Sequence, residues 1–166
     1  MRLAAIAVLA VALAACGKKA PAPPTPEAVG AELATFPQIL VLISSTTWAG
    51  MQAAVARNDM DRADARRYPQ PYAHGVVTLD GKETPVLVAY TGVWQAPSQV
   101  PLQTMSVQQY LRAFGADEGV NLASVIAPKG AIFFTRDQLP DVLAAARNAG
   151  APAADLPYGV VRGVGR

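Results

Sequence analysis

A single cysteine and a single histidine in 166 residues remove most of the chemistry open to a chain of this size. One thiol cannot close an intrachain disulfide, so the fold must be held by its core. One histidine and one thiol cannot assemble the usual nitrogen and sulfur shell of zinc. A Ser-His-acid triad would have to use His74 as base, with Ser44, Ser45, Ser98, Ser106 or Ser124 as nucleophile. None of these serines lies in a G-x-S-x-G elbow, and His74 reads as a half-exposed residue at a strand edge. Phosphate-cradling loops are missing too, since neither G-x-x-x-x-G-K-[ST] nor G-x-G-x-x-G occurs. The closing "VRGVGR" has glycines but no helix to follow them. There is no repeat with a period of 20 to 50 residues, and no run of five basic residues that would suit nucleic acid. No catalytic constellation or cofactor site is recognisable.

What is present is concentrated at the N-terminus. Arg2 is a short positive n-region, Leu3 to Leu13 is an uncharged apolar run, and the small residues Ala14 and Ala15 lead to Cys16. A helix over that run would reach about 16 Å, half of a ~30 Å hydrocarbon core, which is too short to span. It reads as a secretory signal, residues 1–15, and the plain alternative is cleavage after an A-x-A-like site. Leu13-Ala14-Ala15-Cys16-Gly17 resembles the lipobox of bacterial lipoproteins. That resemblance implies acylation of the Cys16 thiol and cleavage just before it, making Cys16 a membrane anchor; two or more acyl chains hold stably where one does not.

Residues 16–26 then form the lipidated N-terminus and a tether. Pro21, Pro23, Pro24 and Pro26 favour an extended segment of roughly 3.1 Å per residue, a stand-off of about 30 Å. Lys18 and Lys19 fall where anionic headgroups would lie. Gly17 stands where an aspartate would retain an enteric lipoprotein at the inner membrane, so the resemblance implies the outer membrane, facing the periplasm. Of the 14 basic side chains, Arg2 belongs to the signal, which leaves 13 against 12 acidic ones.

Residues 27–158 read as one α+β domain, with a mainly antiparallel sheet packed against three to four helices and an irregular tail over 159–166. A chain of this length can bury roughly 68–70% of its unfolded surface. Thr25-Pro26-Glu27 opens a helix that stops before Pro37. "QILVLIS" is a buried strand, and the alanine-rich stretch from Trp48 to Asn58 is a helix. "GVVTLD" and "PVLVAYT" flank an Asp80-Gly81 turn. In "MSVQQYLRAFG" the residues Val107, Tyr110, Leu111 and Phe114 share a helix face, Ser106 and Gln109 form a capping box, and Gly115 is the stop. "VNLASVIA" and "AIFFT" make a second strand pair, Asp137 caps a last helix with Pro140 in its first turn, and "YGVV" holds one short strand.

The stretch "NDMDRADARR" tests poorly as a calcium loop. With Asp59 first and Asp61 third, position 5 is Ala63, the turn position holds Asp64 instead of glycine, and position 12 is Gln70. It reads as a solvated segment of interleaved charges. Trp48, Tyr90 and Trp94 lie at or just past strand ends and are the candidate binding surface.

From Gly75 to Ala146 the chain resembles the N-terminal domain of the SseB (enhanced serine sensitivity) family. The pieces that carry the resemblance are "VLVAYTG", "SVQQYLRAFG", "GVNLASVIAPKG" and "FTRDQLPDVLA". Gly92 replaces the usual serine, and "IAP" stands for an asparagine-proline. The resemblance implies an α/β sandwich without catalytic residues. The expected protein is thus a lipid-anchored, non-catalytic envelope module binding an unknown protein or small ligand. The alternatives are an envelope hydrolase using His74 with a nearby serine, and a structural envelope lipoprotein. The anchor makes a direct prediction: in cells labelled with radioactive palmitate the mature N-terminal peptide carries acyl mass on Cys16, and Cys16→Ser abolishes it. An unacylated peptide starting elsewhere would refute the anchor.

Overall fold

In the computed structural model, which describes residues 23–165, helices and strands alternate around one seven-stranded sheet. The signal, the lipobox with Cys16, and most of the tether lie outside the described residues. Helix α1 (Pro26–Leu33) starts where Thr25 Oγ1 accepts the Ala28 N–H, with Pro26 and Glu27 in its first turn. Strand β1 (Ile39–Leu42) is buried at all four positions. Helix α2 (Ser45–Ala56) begins three residues before Trp48, because Ser44 caps it through the Thr47 N–H. It ends at Ala56, and Asn58 two residues on takes a positive φ that turns the chain away. The charged stretch that follows forms two short 3-10 turns, in which Asp59 and Asp64 accept the N–H groups of Arg62 and Arg66. Two of its three carboxylates thus cap the backbone.

Strands β2 (His74–Leu79) and β3 (Lys82–Tyr90) form the expected hairpin. Asp80 and Gly81 both have positive φ, the conformation of a type I′ turn. Strand β4 (Pro101–Met105) leads directly into helix α3 (Val107–Ala116), whose Ser106–Gln109 capping box is formed as expected. Strands β5 (Leu122–Ala127) and β6 (Gly130–Thr135) make the second hairpin, helix α4 (Leu139–Asn148) follows, and β7 (Val160–Arg162) closes the sheet. The class is α+β with four helices among the described residues, and the sheet is mainly antiparallel, the pair β3–β5 being parallel.

The sheet order is β6-β5-β3-β1-β4-β7, with β2 on β3. Val86 pairs with both Gly75 and Leu122, while Ala89 pairs with both Val41 and Val125. Strands β1 and β2 therefore share one edge of β3, end to end. The main core lies on one face of the sheet under α1, α3 and α4, with Phe134 meeting Tyr110 and Phe114 edge-to-face at 6.5 and 5.4 Å. On the other face Leu40, Leu42, Tyr90 and Leu102 are covered by the loop that carries Ala96.

Four details differ from the sequence reading. Strand β4 was not foreseen; Pro101 and Gln103 disguise it, although proline is tolerated at a strand's first position. The short strand expected in "YGVV" forms as β7, but the described tail, 159–165, is not otherwise irregular: β7 pairs with β4 and the N–H groups of Gly163, Val164 and Gly165 donate to Val100, Val93 and Ala96. Asp137 does not cap the last helix: it sits in a 3-10 turn, Gln138 Oε1 accepts the Thr135 N–H, and α4 starts at Leu139. Gly115 does not stop α3, which continues to Ala116.

Helices α1 and α4 approach almost backbone to backbone at Gly30, where an added Cβ would stand 2.4 Å from the Val142 carbonyl oxygen and 2.6 Å from Ala145 Cβ. In an open helix Gly→Ala gains up to ~1 kcal/mol. Here Gly30→Ala is expected to cost roughly 1–3 kcal/mol by overpacking, read as a lower urea midpoint. A raised midpoint would refute the close packing.

Candidate functional site

Leaving β1 at Leu42, the chain makes α2 and the two 3-10 turns, then returns at Tyr72, which bridges to Ile43. The return segment faces α3 across the end of β4, and a cleft of about 580 Å³ opens between them. Its floor is Tyr72, Gln103 and Met105; Pro69 and Pro71 form one wall, and Ala113 and Ala116 of α3 the other. At 2% exposure Gln103 is a buried amide on a strand otherwise facing the core. Its Oε1 accepts from the Tyr72 hydroxyl at 3.0 Å. Its Nε2 donates to no group among the described residues.

One end of the cleft carries Arg66, Arg112 and Asp155. The tail builds this end: Leu156 hydrogen-bonds Gln109 through both its N–H and its carbonyl, at 2.8 and 3.1 Å, and Asp155 pairs with Arg112. Tyr158 lies under the Arg66 guanidinium at 5.0 Å and accepts the Ala65 N–H. Arg66 also grips Asp64. Burial works against the Asp64 charge, but the hydrogen bonds from the Arg66 side chain and N–H outweigh it and hold that carboxyl below its ordinary range.

The other end carries Asp117, Glu118 and Gly119, just past α3. Asp117 Oδ1 accepts the Gly119 N–H, and Oδ2 lies 2.7 Å from His74 Nε2. Gly119 packs closely there: a Cβ would stand 2.8 Å from His74 Cε1 and would have to push the imidazole aside. The loop itself is set by Arg136, whose guanidinium donates to the carbonyls of Phe114, Gly115, Asp117 and Val120 and to Asn121 Oδ1, while lying 5.3 Å over the Phe114 ring. It satisfies the open carbonyls at the end of α3 in place of a glycine cap.

The residues singled out from the sequence are not brought together. Trp48 sits on α2 beneath the Arg162 guanidinium at 4.6 Å, beside the small cluster of Ile43, Met51 and Ala65. Tyr90 is 7% exposed in the core of the opposite sheet face, and Trp94 is 76% exposed on the loop above it. None of the three lines the cleft. His74 has an acid partner, but no serine or threonine lines the cleft; Ser44 and Ser106 are helix caps and Ser124 is buried in β5. Among the described residues no group of three His, Cys, Asp or Glu side chains is placed to hold a metal ion, and no helix is long and apolar enough to cross a membrane. Sequence reasoning missed Tyr72, Gln103 and Arg112. The one available signal was Gln103, a polar residue in the apolar stretch "VPLQTM".

No family model, curated protein or solved structure matches this chain.

Burial pushes the Tyr72 and Tyr110 phenols above the ordinary value of 10.0. Both stay protonated in the folded chain and ionise on unfolding, so the stability they contribute is complete below pH ~10 and is lost as pH rises from there toward the folded values. Melting temperature should hold between pH 7 and 9 and fall above about 10, with a smaller fall in Tyr72→Phe. The same variant should lose about 1 kcal/mol at neutral pH through the Gln103 bond. A melting temperature that stays level to pH ~11.5 would contradict the burial of these phenols.

Proposed function

We propose that this chain is a lipid-anchored, non-catalytic binding domain of the bacterial cell envelope, SseB-like in fold, whose ligand enters the cleft between α3 and the Tyr72 segment. The observation that carries the binding reading is the Gln103 amide: 2% exposed, lining the cleft, with an Nε2 that no described residue satisfies. That nitrogen is not fully enclosed and opens onto the cleft, where a ligand oxygen would accept from it. A binding role is further supported by the cleft's mixture of apolar walls and convergent polar groups.

The hydrolase alternative needs a nucleophilic hydroxyl within about 3 Å of the imidazole; no serine or threonine lines the cleft, and the Tyr72 hydroxyl is engaged by Gln103. His74 is engaged by Asp117, and Gly119 backs onto its Cε1–Nδ1 edge. In the proposed function this pair positions the loop. The anchor and outer-membrane placement rest on the lipobox and tether.

The test is native mass spectrometry of the protein released from its own membranes. A non-covalent adduct is expected on the native chain and on His74→Ala. It should be lost in Ala116→Trp, which fills the cleft from an exposed position at the end of α3. An adduct that survives Ala116→Trp, or none on the native chain, would refute the cleft as the binding site.

A further inference from the structure

Helices α1, α3 and α4 cover one face of the sheet. A largely antiparallel sheet covered on one side ordinarily turns polar side chains outward on the other. This one does not. The register carries an outward row of Val88, Ser124 and Phe133 across β3, β5 and β6. The next row holds Leu40, Tyr90, Ile126 and Ala131. Leu42, Leu102 and Val161 continue the same face to β7. The loop from Thr91 to Val100 and the tail at Gly163–Gly165 lie over part of it, and both are uncharged.

Trp94 projects from that loop, 76% exposed, and Val164, which donates its N–H to the Val93 carbonyl, is exposed as well. Phe133 and Val161 are exposed on the strands. Among the described residues no carboxylate belongs to this face: no Asp or Glu occurs from Thr84 to Ala116, from Gly119 to Thr135, or after Asp155. Two cations border it, Lys82 opposite Leu79 at the hairpin tip and Lys129 in the turn between β5 and β6. Large exposed apolar surfaces mark contact with a protein or a membrane. A second copy would bring the same lysines and no carboxylate to pair them, whereas an anionic bilayer surface supplies the missing charge.

From the apolar outward face, its missing carboxylates and the projecting tryptophan, we infer that this face rests on the surface of the bilayer. Trp94 lies at headgroup level, where an amphipathic ring is best placed, and Lys82 and Lys129 meet anionic headgroups. Helix α1 lies against α4 and β6, at one edge of the sheet, so the chain leading back to Cys16 starts from that edge. A helix layer and a sheet layer together take about 20 Å. An extended tether of roughly 30 Å passes that thickness and reaches the membrane. The inference rests on the lipid anchor of the proposed function and is independent of the cleft. Gln103 points to the helix side, so the docked domain leaves the cleft open to solvent.

Tryptophan fluorescence of the chain purified from its own membranes tests it. The protein is reconstituted into vesicles of phosphatidylethanolamine and phosphatidylglycerol, with and without brominated phosphatidylcholine. Trp94 emission is expected to fall about twofold with the bromines present, because interfacial tryptophan lies within their reach. Trp48 is the other tryptophan of the chain, held beneath Arg162 on the helix side, and should keep its emission. Trp94→Phe, at an exposed position that leaves folding undisturbed, should remove the quenched part and still float with the vesicles. Chains that float without quenching would refute the docked face and leave the anchor standing. Chains that do not float would refute both. Quenching that survives in Trp94→Phe would overturn this orientation, and a cross-linked dimer with unquenched Trp94 would give the face to a second copy.

Discussion

Arg136 is the constraint on which the candidate site depends. A helix that ends on the core side of a sheet leaves carbonyls with no partner, and water is a poor remedy where the helix is packed. One guanidinium from the turn after β6 takes four backbone carbonyls and the Asn121 side chain. It thereby ties the end of α3 to the far hairpin and fixes the course of residues 115–121. Asp117 emerges from that loop already aimed, one oxygen held by Gly119 and the other by His74. The acidic end of the cleft is thus a product of a cap made elsewhere in the chain.

The cleft itself follows from strand order. Strands β1 and β2 divide one edge of β3 between them, and the chain must leave the sheet at Leu42 and rejoin it at Tyr72. Helix α3 covers the middle of the sheet and stops covering it over the end of β4. The gap between returning segment and helix is floored by what β4 presents there, the buried Gln103. Two adjacent glutamines on α3 then hold the tail against the opening, Gln108 through the Ala151 carbonyl and Gln109 through Leu156.

What could be read from the sequence was local. The Asp80-Gly81 turn, the Ser106–Gln109 box, and the apolar face of α3 each involve residues seven or fewer apart, and each formed. The α+β class followed from their order. Strand β4 was hidden because its pattern mixes proline, glutamine and threonine into what is a core strand. Arg136 could not be singled out, as its carbonyl partners lie 16 to 22 positions away. The His74–Asp117 contact spans 43 positions, and nothing in either neighbourhood marks it. The aromatic side chains drew attention by size alone, and two of them serve as packing for separate clusters.

The closing segment has a consequence for how the molecule comes into being. Residues 155–165 supply the Asp155 and Tyr158 contacts, complete the sheet through β7, and pin the loop over the second core. They are also the last of the described residues to be made. Until they arrive, β4 is a bare edge, Gln109 lacks its Leu156 partner, and the Arg112 end of the cleft lacks Asp155. A nascent or clipped chain therefore has most of its core and no finished cleft. Completion of the cleft thus waits on a segment that adds little to the main core.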